Sequence, residues 1–190
     1  MSLVSRKEHI RFSAQKLFRE KGYAATSMRD LAKEVGVEAP SIYNHFNSKH
    51  ELLKEICFDI AEQFFQAFNE AVENKRSNTD KLSAAIRAHV QVIYNNTEAT
   101  TVFFEEWIFL EGSDMIKFRK LRNSYQQKFR DLIKNGIESK EFAAVDVRLA
   151  TLTVLAALNA THELSRSNKK TEIETIANHI TGILLNGITT

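Results

Sequence analysis

The sequence has little of what interrupts helices or links a chain covalently. Its 190 residues include one cysteine, one proline and six glycines. A single cysteine excludes an intrachain disulfide, and so few turn-forming residues argue against the hairpins of a β-protein. We therefore predict an all-α chain in which Cys57 is a small buried apolar side chain.

Long apolar runs and catalytic motifs are missing as well. No run approaches the roughly 20 apolar residues of a membrane span, and the charged opening "MSLVSRKEHI" does not resemble a secretory signal. The sequence has no glycine-rich phosphate loop, no H-x-x-x-H or C-x-x-C metal spacing and no nucleophile elbow. We therefore expect a cytoplasmic protein that does not associate with membranes, is not an enzyme and uses no metal or cofactor.

The net charge of +2 is unevenly distributed along the chain. Residues 1–49 contain nine lysines and arginines and five acids, a balance of +4, which leaves −2 for the rest. A basic N-terminal segment on a mildly acidic body is typical of a nucleic-acid-binding domain joined to another function.

Three short helices are predicted within the first fifty residues. The first carries a single apolar stripe, formed by Ile10, Ala14, Leu17 and Phe18, and ends at the glycine of "KGY". Ser27 and Asp30 have the S-x-x-D spacing that caps a helix start, and Gly36 ends this second helix. Pro40 is tolerated in the first turn of the third helix, where its missing N–H costs no hydrogen bond.

The third helix is expected to have a buried side and a polar side. Ile42 and Phe46, four residues apart, face inward. The outward residues are Ala39, Pro40, Ser41, Tyr43, Asn44 and His45. Two short helices joined by a glycine turn, the second with a polar outer face, predict a helix-turn-helix that reads DNA.

The remainder of the chain is predicted to be helical. Ser48 and Glu51 form a potential capping box before a fourth helix that begins at Lys49. Apolar periodicity predicts helices near 49–74, 79–96, 98–111, 113–139, 146–167 and 172–187. The many aromatic residues in these helices either fill a solid core or line an elongated apolar cavity.

The segment "GYAATSMRDLAKEVGVEAPSIYNHFNSKHELL" resembles the N-terminal signature of the tetracycline-repressor (TetR) family of bacterial regulators. The matching residues are Gly22, Tyr23, Thr26, Leu31, Ala32, Gly36, Val37, Ile42, Tyr43, Phe46, Lys49 and Leu52. The resemblance implies a three-helix DNA-binding domain at 1–48 and a larger helical ligand-binding and dimerisation domain at 49–190.

By position, the resemblance assigns ten residues to a double-stranded DNA operator: Thr26, Ser27, Arg29, Ala39, Pro40, Ser41, Tyr43, Asn44, His45 and Lys49. The small and polar residues of the third helix would meet base edges. Tyr43 and Lys49 would contact phosphates, and the residues at the start of the second helix would hold the DNA backbone across the groove.

The resemblance also implies a homodimer formed by the last two helices. Their small and branched side chains suit a four-helix interface that includes Leu152, Ala156, Ala160, Ile180 and Leu184. The two-fold symmetry of such a dimer predicts a near-palindromic operator with half-sites about one helical turn apart.

A second, weaker resemblance concerns the ligand. The segments beginning "FFEEWIFLEG" and "LAALNATHELSR" are similar to the branch of the family that responds to acyl-CoA thioesters, although "THELSRSN" departs from its usual tryptophan-rich stretch. This implies a repressor released by a small hydrophobic inducer, an acyl-CoA or a free fatty acid. The predicted ligand contacts are Phe64, Phe68, Phe103, Trp107, Arg122, Tyr125, Asn159 and His162. The alternative is a DNA-binding regulator controlled by a protein partner without a small-molecule inducer.

Overall fold

The computed structural model describes residues 5–166 and 173–186, and within these ranges every regular element is helical. The elements are α1 (Arg6–Lys21), α2 (Met28–Val35), α3 (Ala39–Tyr43), α4 (Lys49–Glu73), α5 (Asn78–Asn95), α6 (Thr97–Glu105), a 3-10 turn (Trp107–Phe109), α7 (Gly112–Glu138), α8 (Val147–Asn159), α9 (Thr161–Arg166) and α10 (Ile173–Asn186). The all-α prediction is confirmed. None of the helices described is long and apolar enough to cross a bilayer.

Side-chain caps fix the starts of the N-terminal helices. Ser27 and Asp30 form the predicted capping box at α2, with both of its reciprocal hydrogen bonds. At α4, the Glu51 N–H donates to Ser48 Oγ at 3.1 Å. The Glu51 carboxylate, however, accepts from the N–H of Asn47 at 2.7 Å, one residue before the position that a regular capping box uses.

The chain divides into two compact units. Unit 1 runs up to Ile60 and also includes Glu98–Phe118, and unit 2 comprises Ala61–Thr97 and the described residues from Arg119 onward. The core of unit 1 includes the fully buried Phe18, Phe46 and Phe118. Helix α4 therefore contributes residues to both units.

The core of unit 2 is built by α4, α5, α7, α8 and α10. Its buried members include Phe68, Ile86, Val90, Phe129, Ile133, Val154, Leu158 and Leu184. Gly136 on α7 is required for this packing, because a Cβ atom there would lie 2.2 Å from the ring of Phe142. The loop after α7 consequently folds directly onto the helix that precedes it.

Two predicted helices are interrupted in the structure. The helix expected at 98–111 ends at Glu105 and continues as the 3-10 turn. The helix expected at 146–167 breaks at Ala160, because side chains take the carbonyls that the helix would use. The Thr161 hydroxyl donates to the Leu158 carbonyl at 2.7 Å, and His162 Nδ1 is 2.7 Å from the Asn159 carbonyl. The predicted ends of the last helix, residues 172 and 187, lie outside the described residues.

Candidate nucleic-acid interface and ligand site

The turn between α2 and α3 is fixed by backbone hydrogen bonds. Gly36 adopts the left-handed conformation, with φ 73° and ψ 38°, which glycine reaches without steric cost. The next residue, Val37, donates its N–H to the Ala32 carbonyl at 2.9 Å. This C-terminal cap ends α2 and directs the chain into α3 two residues later.

Helix α3 has one buried face and one exposed face. Ile42 and Phe46 are completely buried, whereas the side chain of Tyr43 is 51% exposed. The other exposed residues of this short segment are Pro40, Ser41, Asn44 and His45, and Ala39 is half-buried. The structure thus presents a polar surface of about one helical turn on a firmly anchored element.

Thr26 is placed differently from the sequence prediction. Its side chain is buried, and its hydroxyl donates to the Gly22 carbonyl at 2.9 Å. The hydroxyl therefore closes the end of α1 and does not face solvent. Ser27 is exposed but caps α2, while Arg29 is an exposed cation on the first turn of that helix.

Lys49 is held by its own chain rather than left free at the start of α4. Its ammonium donates to the Tyr23 carbonyl at 2.6 Å and lies 4.2 Å from the centre of the Tyr23 ring. Burial lowers the pKa of Lys49, and the nearby Glu106 opposes that shift. The ring of Tyr23 in turn stacks on Phe109 at 5.2 Å. These contacts make Lys49 a clamp on the turn after α1.

The positive excess of the first fifty residues is partly neutralised by ion pairs. The pairs are Lys7–Glu55 (2.7 Å), Lys16–Glu34 (2.7 Å), Arg19–Glu98 (2.9 Å) and Arg11–Asp59. Three of these acids belong to α4 or α6. The cations that remain exposed without a recorded ion pair among the described residues are Arg6, Lys21, Arg29 and Lys33. The usable positive charge is therefore smaller than the sequence balance suggested.

An apolar stripe remains exposed on α8 and α10 of unit 2. Leu149 is 64%, Leu152 45% and Ile183 74% exposed. Ala156 and Ala160 continue the stripe along α8, and Ile180 is half-buried on α10. Leu184, which the sequence placed on this surface, packs instead in the core of unit 2.

An aromatic cluster occupies the middle of unit 2. Tyr125 on α7 contacts the rings of Phe64, Phe65 and Phe68 on α4, at centroid distances of 5.6, 5.4 and 6.0 Å. His89 on α5 stacks on Phe64 at 4.5 Å, and its Nδ1 lies 3.1 Å from the Tyr125 hydroxyl. The sequence analysis missed His89, although its position on the apolar stripe of α5, between Ile86 and Ile93, marked it as inward-facing.

The predicted ligand residues are divided between the two units. Phe103 and Trp107 belong to unit 1, where their rings lie 5.3 and 5.9 Å from that of Phe118. The predicted residues in unit 2 are Phe64, Phe68, Arg122, Tyr125, Asn159 and His162. Of these, Phe64 and Phe68 are buried, and the other four are half-buried.

The whole chain has counterparts among known regulators. Residues 75–188 match the family described as "Tetracyclin repressor-like, C-terminal domain", and residues 11–56 match "Bacterial regulatory proteins, tetR family". The chain belongs to the TetR family. TetR proteins are transcriptional regulators, so the prediction that the chain is not an enzyme is confirmed.

Curated relatives of this TetR protein are similar at low identity. The "HTH-type transcriptional repressor KstR2" of Mycolicibacterium smegmatis is 25% identical over 140 residues, which are 73% of this chain and 68% of that protein. The "Fatty acid metabolism regulator protein" of Bacillus subtilis is 24% identical over 181 residues, covering 93% of this chain and 92% of the relative.

Solved structures show the same fold. KstR2 of Mycobacterium tuberculosis, described as a ketosteroid transcriptional regulator, superposes with a TM-score of 0.94 at 21% identity, covering 100% of this chain and 97% of that one. AibR, solved "in complex with isovaleryl coenzyme A and operator DNA", superposes with a TM-score of 0.85 at 18% identity, covering 95% and 98%. The expected helix-turn-helix followed by a helical C-terminal domain is confirmed.

Proposed function

We propose that this TetR-family regulator is a homodimeric repressor that a small hydrophobic ligand, an acyl-CoA, releases from a near-palindromic operator. Residues 1–48 form the DNA-binding domain and residues 49–190 the ligand-binding and dimerisation domain. The observation that carries the proposal is the exposed polar face of α3 above the buried Ile42 and Phe46. A rigid helix with accessible hydrogen-bonding groups fits the major groove.

The exposed residues divide by chemistry into base-reading and phosphate-binding groups. Ser41, Asn44 and His45 have hydrogen-bonding groups for base edges, and the apolar Ala39 and Pro40 suit thymine methyl groups. The Tyr43 hydroxyl and the Arg29 guanidinium are exposed donors for phosphate oxygens, with Ser27 beside them. Phosphate contacts of this kind set register and add salt-dependent affinity.

Two residues receive different roles once their contacts are known. Thr26 supports the turn through its buried hydroxyl and is removed from the proposed DNA contacts. Lys49 offers a phosphate only those hydrogens that its carbonyl partners leave unused, so its main role is to hold the turn that precedes α2.

The exposed stripe on α8 and α10 supports the homodimer. Apolar side chains as exposed as Leu149 and Ile183 are typical of a surface that another chain covers. The small Ala156 and Ala160 allow a partner helix to approach closely. We therefore propose an interface of Leu149, Leu152, Ala156, Ala160, Ile180 and Ile183, in which Ile183 takes the place of the buried Leu184.

The ligand class is supported by the aromatic cluster of unit 2 and by the relatives. Apolar and aromatic residues with a few polar groups are the usual lining of a small-molecule site. AibR is solved with isovaleryl coenzyme A, and the Bacillus subtilis relative is a fatty acid metabolism regulator. An acyl thioester combines an apolar chain with a polar head and suits such a lining.

Selection from a pool of random DNA duplexes tests the DNA-binding half of the proposal. We expect the full chain to enrich near-palindromic sites whose half-sites are about one helical turn apart. A Ser41→Ala, Asn44→Ala double variant should enrich a less defined sequence. If the unmodified chain enriches no sequence, the proposed reading role of α3 is wrong, and control by a protein partner becomes the better hypothesis.

A further inference from the structure

His89 is a buried histidine with one unsatisfied nitrogen. Its side chain is 2% exposed, and its Nδ1 lies 3.1 Å from the Tyr125 hydroxyl. The other ring nitrogen, Nε2, has no hydrogen-bond partner among the described residues. Buried polar groups are nearly always paired, so an unpaired nitrogen at this depth points to a partner that binds later.

Four helices of unit 2 converge on this histidine. Phe64 of α4 stacks on its ring, and Tyr125 and Phe129 of α7 lie with ring centroids 5.8 and 6.4 Å away. Asn159 of α8 also interacts with it through its side chain. His89 is therefore the polar centre of the aromatic cluster.

Burial keeps both members of the His89–Tyr125 pair neutral. It lowers the pKa of His89 to about 3, and the Asn159 side chain opposes this shift only in part, since Nε2 itself finds no partner at hydrogen-bond geometry. Burial also raises the pKa of Tyr125. At neutral pH the pair thus consists of an imidazole and a phenol, without charge.

Hydrogen-bond satisfaction selects the tautomer of the imidazole. If Tyr125 donates its hydroxyl proton to Nδ1, the ring proton is on Nε2, and one donor remains unpaired. If Nδ1 donates to Tyr125 instead, both the phenolic proton and the Nε2 lone pair are unpaired. The first arrangement leaves fewer buried groups unsatisfied, so Nε2–H is a donor that requires an acceptor.

We propose that His89 Nε2–H is the polar anchor of the inducer site and donates a hydrogen bond to the thioester carbonyl of the acyl-CoA. This inference rests on the proposed acyl-CoA response and decides between the two ligand forms that the sequence left open. A neutral donor among uncharged rings suits a neutral carbonyl. The carboxylate of a free fatty acid would lose its hydration in this cluster without gaining a counter-charge from its members.

Isothermal titration of the full chain with three matched probes tests the proposal. The probes are palmitoyl-CoA, its thioether analogue S-hexadecyl-CoA, which lacks only the carbonyl oxygen, and palmitate. Loss of one buried hydrogen bond should weaken binding of the thioether by about tenfold relative to the thioester. Palmitate should bind more weakly than palmitoyl-CoA by at least a similar factor.

Three variants assign the preference to one nitrogen. His89→Phe keeps a ring of similar size but removes the donor, so the affinities for thioester and thioether should converge. His89→Gln retains an N–H donor and should keep part of the preference. Tyr94→Phe is the matched control, because the Tyr94 hydroxyl is a second buried group on α5 with no hydrogen-bond partner in the described part of the chain. Its thioester preference should equal that of the unmodified protein.

The outcomes separate this inference from the proposed function. Equal affinities of the unmodified protein for thioester and thioether would overturn the role of His89 and leave an acyl-CoA-responsive regulator. Absence of binding for every CoA probe would overturn the acyl-CoA response itself, and this inference with it. If His89→Phe fails to fold by circular dichroism, the ratio in the unmodified protein and in His89→Gln decides.

Discussion

The two compact units of the chain treat their polar groups in opposite ways. In unit 1 the charged side chains lie at the surface, where α1 forms ion pairs with α4 and α6 and a few cations remain exposed. In unit 2 the polar groups of the aromatic cluster are buried and neutral. The difference matches the proposed partners, because a polyanion requires accessible charge and an acyl chain requires an uncharged interior.

The largest effect is expected from a charge on the exposed stripe of unit 2. Leu152→Arg should prevent dimerisation, since an arginine that a partner chain covers without a counter-charge is costly. Loss of simultaneous binding to two half-sites should weaken operator binding by about 100-fold or more. Analytical ultracentrifugation and fluorescence anisotropy measure the two effects, with Lys134→Ala on the exposed surface of α7 as control. A variant that remains a tight-binding dimer would exclude this interface.

The next effect concerns the anchor of α3 and should be confined to unit 1. Phe46→Ala removes a fully buried ring and should lower the free energy of unfolding of this unit by about 3–5 kcal/mol. Phe12→Ala, at a ring that is 48% exposed, should cost much less. Hydrogen exchange measures both variants. Equal loss of amide protection in the two units would show that their stabilities are not separable in the way we expect.

A smaller effect distinguishes exposed from paired cations of the head. Arg29→Ala should weaken operator binding and lower the magnitude of the logarithmic salt slope by about 1, as loss of one phosphate contact predicts. Lys16→Ala should change the slope little, because Lys16 already pairs with Glu34 at 2.7 Å. Anisotropy titrations at several salt concentrations provide the test, and equal slopes for the two variants would contradict the assignment.

The smallest effect is expected at the start of α5. The Glu141 carboxylate accepts hydrogen bonds from the N–H groups of Asn78 and Thr79, which lower its pKa to about 2. Because the folded pKa lies below the unfolded value of about 4.3, this contribution is present above the unfolded pKa and is lost as the pH falls toward 2. Glu141→Gln should therefore unfold with a flatter pH dependence between these values. Thermal unfolding across pH 2–6 measures it, and superimposable profiles would contradict the prediction.

Local patterns in the sequence were sufficient for the helices and for the anchor of α3. The spacing of Ile42 and Phe46 and the cap at Ser27 depend on neighbours within one or two turns. The break at Ala160 was not predictable from glycine or proline, because the Thr161 and His162 side chains cause it. Short-range periodicity therefore gave the elements but not every boundary.

Contacts between distant residues were beyond the sequence analysis. Lys49 has the position of a free helix-end cation, yet its partner carbonyl at Tyr23 is 26 residues away. Apolar residues lie all around α10, so periodicity did not distinguish the exposed Ile183 from the buried Leu184. His89 was overlooked for the same reason, since its partner Tyr125 is 36 residues further along the chain.

The most direct test of the regulatory claim is the fluorescence anisotropy of the full chain on its selected duplex, titrated with palmitoyl-CoA at fixed salt. A ligand that binds the DNA-free conformation more tightly must displace the DNA, and the affinity ratio sets the extent of release. We predict that the anisotropy falls to that of free DNA as palmitoyl-CoA saturates the protein. Tight DNA binding that saturating palmitoyl-CoA leaves unchanged would contradict an acyl-CoA-released repressor.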